Sequence, residues 1–253
     1  GAIYSGFMTA SKMKTQVKWH NYTPSILADE RCVKLLAKEF IAHNTILLTF
    51  EKPKGLEYKA GQYAVLSLNN PRYTELDMPL RPLSMVSHPD EDILQFAMRL
   101  SDSSFKKSVA EMAIGDTATI FAPMGNFTLK GKNKRIVFLA SGIGITPVLP
   151  MLKTLEQQQF AGEVVVFYSN KTEASAAFHS DLQHSTLANY SYLPVFTATQ
   201  KRLNTDFLKE HLHTLTDCEY YIVGTNSFTK AMQELLLKEN VPATTIFKDD
   251  FGG

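Results

Sequence analysis

The sequence predicts an antiparallel β-barrel followed by a parallel-sheet α/β domain. Between residues 33 and 129, short apolar and β-branched runs are separated by turn residues, as in an all-β unit. Beyond about residue 130, apolar runs alternate with helical patterns, as expected of strands covered on both faces. The 253 residues, 44% of them hydrophobic, suffice for two domains that each bury a core.

In the first half the expected strands are 45–51 (TILLTFE), 63–68 (YAVLSL), 83–86, 93–100 (ILQFAMRL) and 117–121 (TATIF). Gly61-Gln62, Lys52-Pro53-Lys54-Gly55, Asn69-Asn70-Pro71, His88-Pro89-Asp90 and Gly115-Asp116 supply the turns. One helix is expected at 104–112, with Ser103 or Ser104 as N-cap and Val109 and Met112 on its apolar face. In the second half, strands at 135–140, 163–168, 192–197, 219–223 and 244–247 alternate with helices at 147–157, about 177–183, 205–213 and 226–239. The polar stretch 130–134 (KGKNK) reads as a linker. The expected organisation is an N-terminal extension at 1–30, a barrel domain at 31–131 and an α/β domain at 132–253.

A net charge of +1 and no basic stripe with interleaved aromatics argue against a nucleic-acid binder. Cys32 and Cys218 have no metal-ligand spacing and form no disulfide framework, so no metal site is expected. An intrinsic iron–sulfur cluster needs about four thiolates. The longest uncharged stretch, 136–152, is interrupted by two glycines and two prolines and is too short to span a membrane. The cysteine usage fits a reducing, cytoplasmic setting, and no signal peptide is expected, because the opening residues show no charged region followed by an apolar one.

The most informative stretch is 135–152, RIVFLASGIGITPVLPML. A strand running into Gly142-Ile143-Gly144 leaves N–H donors at a helix start, suited to phosphate or another polar ligand part. Thr146 can cap or hydrogen-bond there, and Pro147 suits a first helical turn. Pro147 also replaces the third glycine of the common dinucleotide fingerprint. Alone, the loop reads equally as a structural turn or a phosphate site.

Six motifs occur in a suggestive order: Gly61-Gln62-Tyr63, Arg81-Pro82-Leu83-Ser84, Ser104-Phe105-Lys106-Lys107, Pro123-Met124-Gly125-Asn126-Phe127, Gly142 to Pro147, and Val223-Gly224 with Asp250-Phe251. Over about residues 33–253 the chain resembles the ferredoxin–NADP reductase superfamily, in which a barrel holds a flavin and an α/β domain holds NAD(P). The resemblance implies that Arg81 pairs with a flavin phosphate through its planar guanidinium. It implies that Ser84 hydrogen-bonds near flavin N5. Pro82 and Leu83 lie in the same motif, and Leu83 stands where the family usually places a tyrosine stacked on the flavin. Met98, Arg99 and Leu100 would line the ribityl and pyrophosphate region. The helix start at Ser104, Phe105 and Lys106 would offer N–H groups to the pyrophosphate, which suggests FAD rather than FMN. From the residues in isolation, Arg81 reads first as a surface ion-pair partner of Glu75 or Asp77, and 104–112 also reads as an ordinary amphipathic helix with an N-cap serine.

In the second half the resemblance puts Gly142, Gly144 and Pro147 under the NAD(P) pyrophosphate and Thr146 near the flavin–nicotinamide junction. Asn170 and Lys171 fall where the family reads the adenosine ribose, and Lys171, with Arg202, favours NADPH over NADH. Gly224 permits close approach. Val223 stands where a cysteine commonly touches the nicotinamide, and Phe251 falls where relatives place an aromatic near the flavin. Ser84, Thr146 and Phe251 are therefore the expected residues nearest the chemistry. The activity implied is NAD(P)H-dependent reduction of FAD, with electrons passed to a separate acceptor such as a ferredoxin, a flavodoxin or an oxygenase component. The Leu83 and Val223 departures leave open a flavin-bearing electron-transfer or regulatory subunit with weakened NAD(P)H chemistry.

Overall fold

The computed structural model describes residues 29–251, with the backbone alone at 250 and 251. The chain forms two compact units, one of residues up to Phe40 plus Ile46–Asn126, the other of Ile41–Thr45 plus the residues from Phe127 onward. Most of the expected extension at 1–30 lies outside the described residues; Asp29 and Glu30 already belong to a strand.

The first unit is a six-stranded sheet in the order β4-β3-β6-β1-β2-β5. Its strands are β1 (Asp29–Ala42), β2 (Thr45–Glu51), β3 (Tyr63–Leu68), β4 (Leu80–Ser84), β5 (Ile93–Arg99) and β6 (Thr117–Met124). β1 pairs antiparallel with β6, and β3 pairs antiparallel with both β4 and β6. Just past β4, the Val86 N–H donates to the Gln95 carbonyl of β5 at 2.8 Å, which draws the two outer strands together and curls the sheet into a barrel. Leu35, Leu48, Phe50, Leu66, Leu94, Phe96, Phe105 and Ile120 fill its interior.

β4 lies three residues upstream of its expected start and contains Pro82. As the outermost strand in hydrogen-bonding order, it tolerates the missing N–H. The one helix of the unit, α1 (Ser104–Ala110), is capped by Ser103, whose side chain accepts the Lys106 N–H at 3.2 Å.

The second unit is a five-stranded parallel sheet in the order β11-β10-β7-β8-β9. Its elements are β7 (Arg135–Ser141), α2 (Val148–Gln157), β8 (Glu163–Asn170), α3 (His179–Leu182), β9 (Asn189–Phe196), α4 (Thr205–Leu212), β10 (Glu219–Thr225), α5 (Asn226–Lys238) and β11 (Ile246–Phe251). Valine, isoleucine, phenylalanine and tyrosine dominate the three central strands, which are buried almost throughout, as doubly covered strands must be. α3 is shorter than expected because Phe178 adopts a left-handed conformation (φ 60°) and the helix begins after it. β11 begins later than expected because a 3-10 turn, Ala243–Thr245, follows Pro242.

Two polar clusters fasten the lower end of this sheet. Arg135 Nε donates to Glu163 at 2.6 Å, its Nη1 to Asp217 at 2.6 Å and its Nη2 to the Leu212 carbonyl at 2.8 Å. Arg135→Met is expected to lower stability by about 2 kcal/mol, because Glu163, Asp217, Thr214 and the Leu212 carbonyl lose a charged donor. A denaturation midpoint unchanged from wild type would contradict this. The second cluster holds the stretch read as a linker. The Lys130 N–H donates to the Tyr221 hydroxyl at 2.8 Å, and the Lys132 N–H to the buried Glu219 carboxylate at 3.2 Å. The Tyr221 hydroxyl in turn donates to Glu219. Phe127 meets the Tyr221 ring edge-on at 5.8 Å between centroids.

Among the described residues, no helix is long and apolar enough to cross a membrane.

Candidate functional site

In the first unit, β4 and the start of α1 bring together the residues expected to hold a flavin phosphate. The Arg81 guanidinium lies over the Phe105 ring at 5.1 Å and donates to the Leu80 carbonyl at 2.8 Å and the Met78 carbonyl at 3.2 Å. Its Nη2 pairs with Asp77. The other Asp77 oxygen accepts the Phe105 N–H at 3.0 Å, at the beginning of α1. One carboxylate thus engages both groups that sequence reasoning assigns to phosphate. Asp77 appeared in that reasoning only as a rival partner for Arg81.

Arg99 and Lys106 complete a cationic neighbourhood. Burial, and then the nearby Arg81 and Arg99 charges, push the Lys106 ammonium below its ordinary range. Ser104 turns its hydroxyl away from the helix start to accept the Leu76 N–H at 2.7 Å. The Met98 and Phe105 side chains are buried in the barrel core, so any part they take in binding comes from their main chains. Leu83 and Leu100 pack against that same core. Ser84 shares the Leu80–Pro82 face of β4 and is 3% exposed, and its hydroxyl has no hydrogen-bond partner.

In the second unit the candidate residues gather at the C-terminal ends of β7, β8 and β10. From β7 the chain proceeds to β8 and β9 on one side, then returns to β10 and β11 on the other. In open α/β sheets, ligands bind beyond the strand ends where the order reverses in this way. Gly142 and Gly144 lie in the 3-10 turn Gly142–Ile145 that leaves β7. Their requirements differ. Gly142 adopts φ +56° with open space where a Cβ would be, whereas a Cβ on Gly144 would lie 2.8 Å from the Gly224 Cα and 2.8 Å from the Val223 carbonyl oxygen.

Thr146 is buried, and its N–H donates to the Ile143 carbonyl at 3.2 Å. It does not cap α2: Pro147 holds the N-cap position, and no side chain bonds that helix start. Asn170 is 6% exposed at the end of β8, with neither amide atom partnered, and Lys171 beside it is exposed. Val223 is fully buried. Cys218, at the opposite end of the sheet, is buried, which pushes its thiol up to about 11. The backbone of Phe251 pairs with Thr225, and its side chain lies outside the described residues.

Sequence reasoning also missed Tyr168. Its hydroxyl lies 3.0 Å from the Gly142 carbonyl and 3.1 Å from the Ala177 carbonyl. The available signal was a tyrosine near the end of an otherwise apolar strand, whose buried hydroxyl requires a partner.

Residues 138–234 match the family model described as the oxidoreductase NAD-binding domain. The chain is 27% identical to the flavohemoprotein of Bacillus subtilis, over 92% of this chain and 60% of that protein. It is 25% identical to the anthranilate 1,2-dioxygenase electron transfer component of Acinetobacter baylyi, over 84% of this chain and 64% of that protein. The chain thus spans less than two thirds of the length of either curated relative. A ferredoxin NADP+ reductase from Neisseria gonorrhoeae, solved with bound FAD and NADP, superposes with a TM-score of 0.77 at 21% identity, covering 87% of this chain and 98% of that one. At that identity the likeness is one of fold, an antiparallel six-stranded unit followed by a parallel five-stranded one.

Proposed function

We propose that the chain is an NAD(P)H-dependent flavin oxidoreductase that passes electrons to a separate acceptor. One observation carries this reading. Among the described residues, four buried side-chain polar atoms lack a hydrogen-bond partner, and three of them belong to Ser84 and Asn170. Leaving such an atom unpaired costs about 1–3 kcal/mol, and a ligand that completes the pairing is one reason native proteins keep it. Sequence reasoning selected both residues as cofactor ligands without reference to burial.

The residues present fit an FAD diphosphate. Arg81, Arg99 and Lys106 supply positive charge, the start of α1 supplies N–H groups, and Ser84 supplies an unengaged hydroxyl. The glycine turn and Asn170 fit the pyrophosphate and adenosine portions of NAD(P)H, and exposed Lys171 favours NADPH. When bound, the flavin supplies hydride acceptance and onward electron transfer; the protein supplies binding, orientation and electrostatics. The Acinetobacter relative, an electron transfer component of a dioxygenase, supports an oxygenase component or a ferredoxin- or flavodoxin-like protein as acceptor.

Binding the phosphate at Arg81 requires displacing Asp77. Asp77→Asn removes the competing charge while keeping an oxygen for the Phe105 N–H. It is expected to tighten FAD binding about tenfold, roughly 1.4 kcal/mol. Weaker binding in this variant would show that Asp77 orients Arg81 rather than competing for it.

Anaerobic mixing of FAD-loaded protein with NADH and NADPH in parallel tests the overall reading. Bleaching of the flavin absorbance by either donor supports it, and protein that takes up no FAD overturns it. The buried Val223 and the core-packed Leu83 favour a second reading, a flavin-bearing subunit with weakened NAD(P)H chemistry. Stable FAD binding without reduction by either donor would select that one.

A further inference from the structure

Tyr168 sits on β8, next to Ala140 of β7 and Pro194 of β9, and its side chain is fully buried. Its single hydroxyl proton faces two carbonyls, that of Gly142 in the turn after β7 and that of Ala177 in the segment after β8. A trans peptide is planar, so a carbonyl drawn toward the sheet sends the next N–H the opposite way. Holding the Gly142 oxygen on Tyr168 therefore aims the Ile143 N–H away from that hydroxyl. The first N–H groups of a helical turn have no carbonyl within the turn and are the donors available to a ligand.

Gly142 needs such a restraint. It has no side chain to anchor it, and nothing lies within 4 Å of where a Cβ would be. The second carbonyl links this restraint to the segment that follows Asn170 and Lys171. An independent observation marks the same rim as built for a ligand, namely the unpartnered, buried Asn170 amide.

From this geometry we infer that Tyr168 is a positioning residue for the dinucleotide. Its hydroxyl orients the Gly142–Ile143 peptide toward the pyrophosphate and ties that loop to the segment beyond the adenosine-binding end of β8. The inference rests on the NAD(P)H reading proposed above.

The test compares wild type with Tyr168→Phe as FAD-loaded full chains, titrated with NAD+, NADP+ and AMP in the absence of turnover. AMP engages the adenosine end alone. Tyr168→Phe is expected to raise the dissociation constant for the better-bound dinucleotide about tenfold, while AMP changes less than twofold. In turnover, KM for the donor rises by a similar factor and kcat stays within twofold. Unchanged dinucleotide affinity overturns the inference, as does an equal loss for AMP and dinucleotide, which would mark a general loss of structure.

Should the variant fail to fold, amide exchange on the wild type decides the question. The Ile143 amide is expected to exchange at least tenfold more slowly with dinucleotide bound, and no slowing overturns the assignment. If wild type binds neither NAD+ nor NADP+, the functional reading itself fails, a result distinct from any effect of Tyr168.

Discussion

Gly144→Ala is expected to destabilise the second unit by about 3 kcal/mol and to abolish dinucleotide binding. The added methyl carbon would lie 2.8 Å from both the Gly224 Cα and the Val223 carbonyl oxygen, and 2.9 Å from the Gly224 nitrogen. All three are backbone atoms of β10, a strand held between β7 and β11. They cannot rotate aside as a side chain would, so relief requires the turn and strand to separate. Gly142→Ala provides the contrast. Its new methyl meets nothing, and the cost is limited to a non-glycine residue at φ +56°, about 1 kcal/mol. Thermal or chemical denaturation of both variants checks the pair. Equal losses would mean that the approach of Gly144 to Gly224 does not govern this turn.

Arg81→Ala is expected to weaken FAD binding about 30- to 100-fold, the equivalent of roughly 2–3 kcal/mol in charge-assisted hydrogen bonds. The phosphate forfeits a planar donor. Loss of the Arg81–Asp77 pair weakens the free protein rather than the complex, because bound phosphate displaces Asp77 in wild type, and so it offsets part of this effect. Arg81→Lys should recover only a fraction, because an ammonium restores charge without the two-pronged geometry. Flavin content after desalting, together with fluorescence titration, provides the measurement. Full flavin retention in Arg81→Ala would move the phosphate site away from β4.

The two sheets and most helices were legible because turn residues and hydrophobic periodicity agree locally along most of the chain. Three departures have physical reasons. β1 runs for 14 residues with charged and exposed positions along much of its length, so only Val33 and Leu35 announce a buried face. β4 starts at Leu80, upstream of the expected 83–86, because an outer strand accommodates Pro82, which lacks an N–H. The helix after the glycine loop was placed one residue early because the chain first makes a 3-10 turn, leaving Pro147 as N-cap.

Candidate site residues were named where a motif required a special residue type, as with Gly142, Gly144 and Arg81. Those acting through long-range geometry were not. Tyr168 meets carbonyls 26 and 9 residues away, and within its own strand it is one more aromatic in a buried run. The dual engagement of Asp77 depends on α1 reaching it from 28 residues downstream.

The anchoring of residues 130–134 changes what this stretch means for the chain's durability. Three lysines among five residues with no apolar side chain read as an obvious target for a trypsin-like protease. Cleavage requires the backbone to be drawn out into an enzyme's cleft, and here the Lys130 and Lys132 amides are bonded to Tyr221 and Glu219. Nicking at this stretch therefore follows local opening of the second unit's own core, and its rate reports how often Tyr221 lets go.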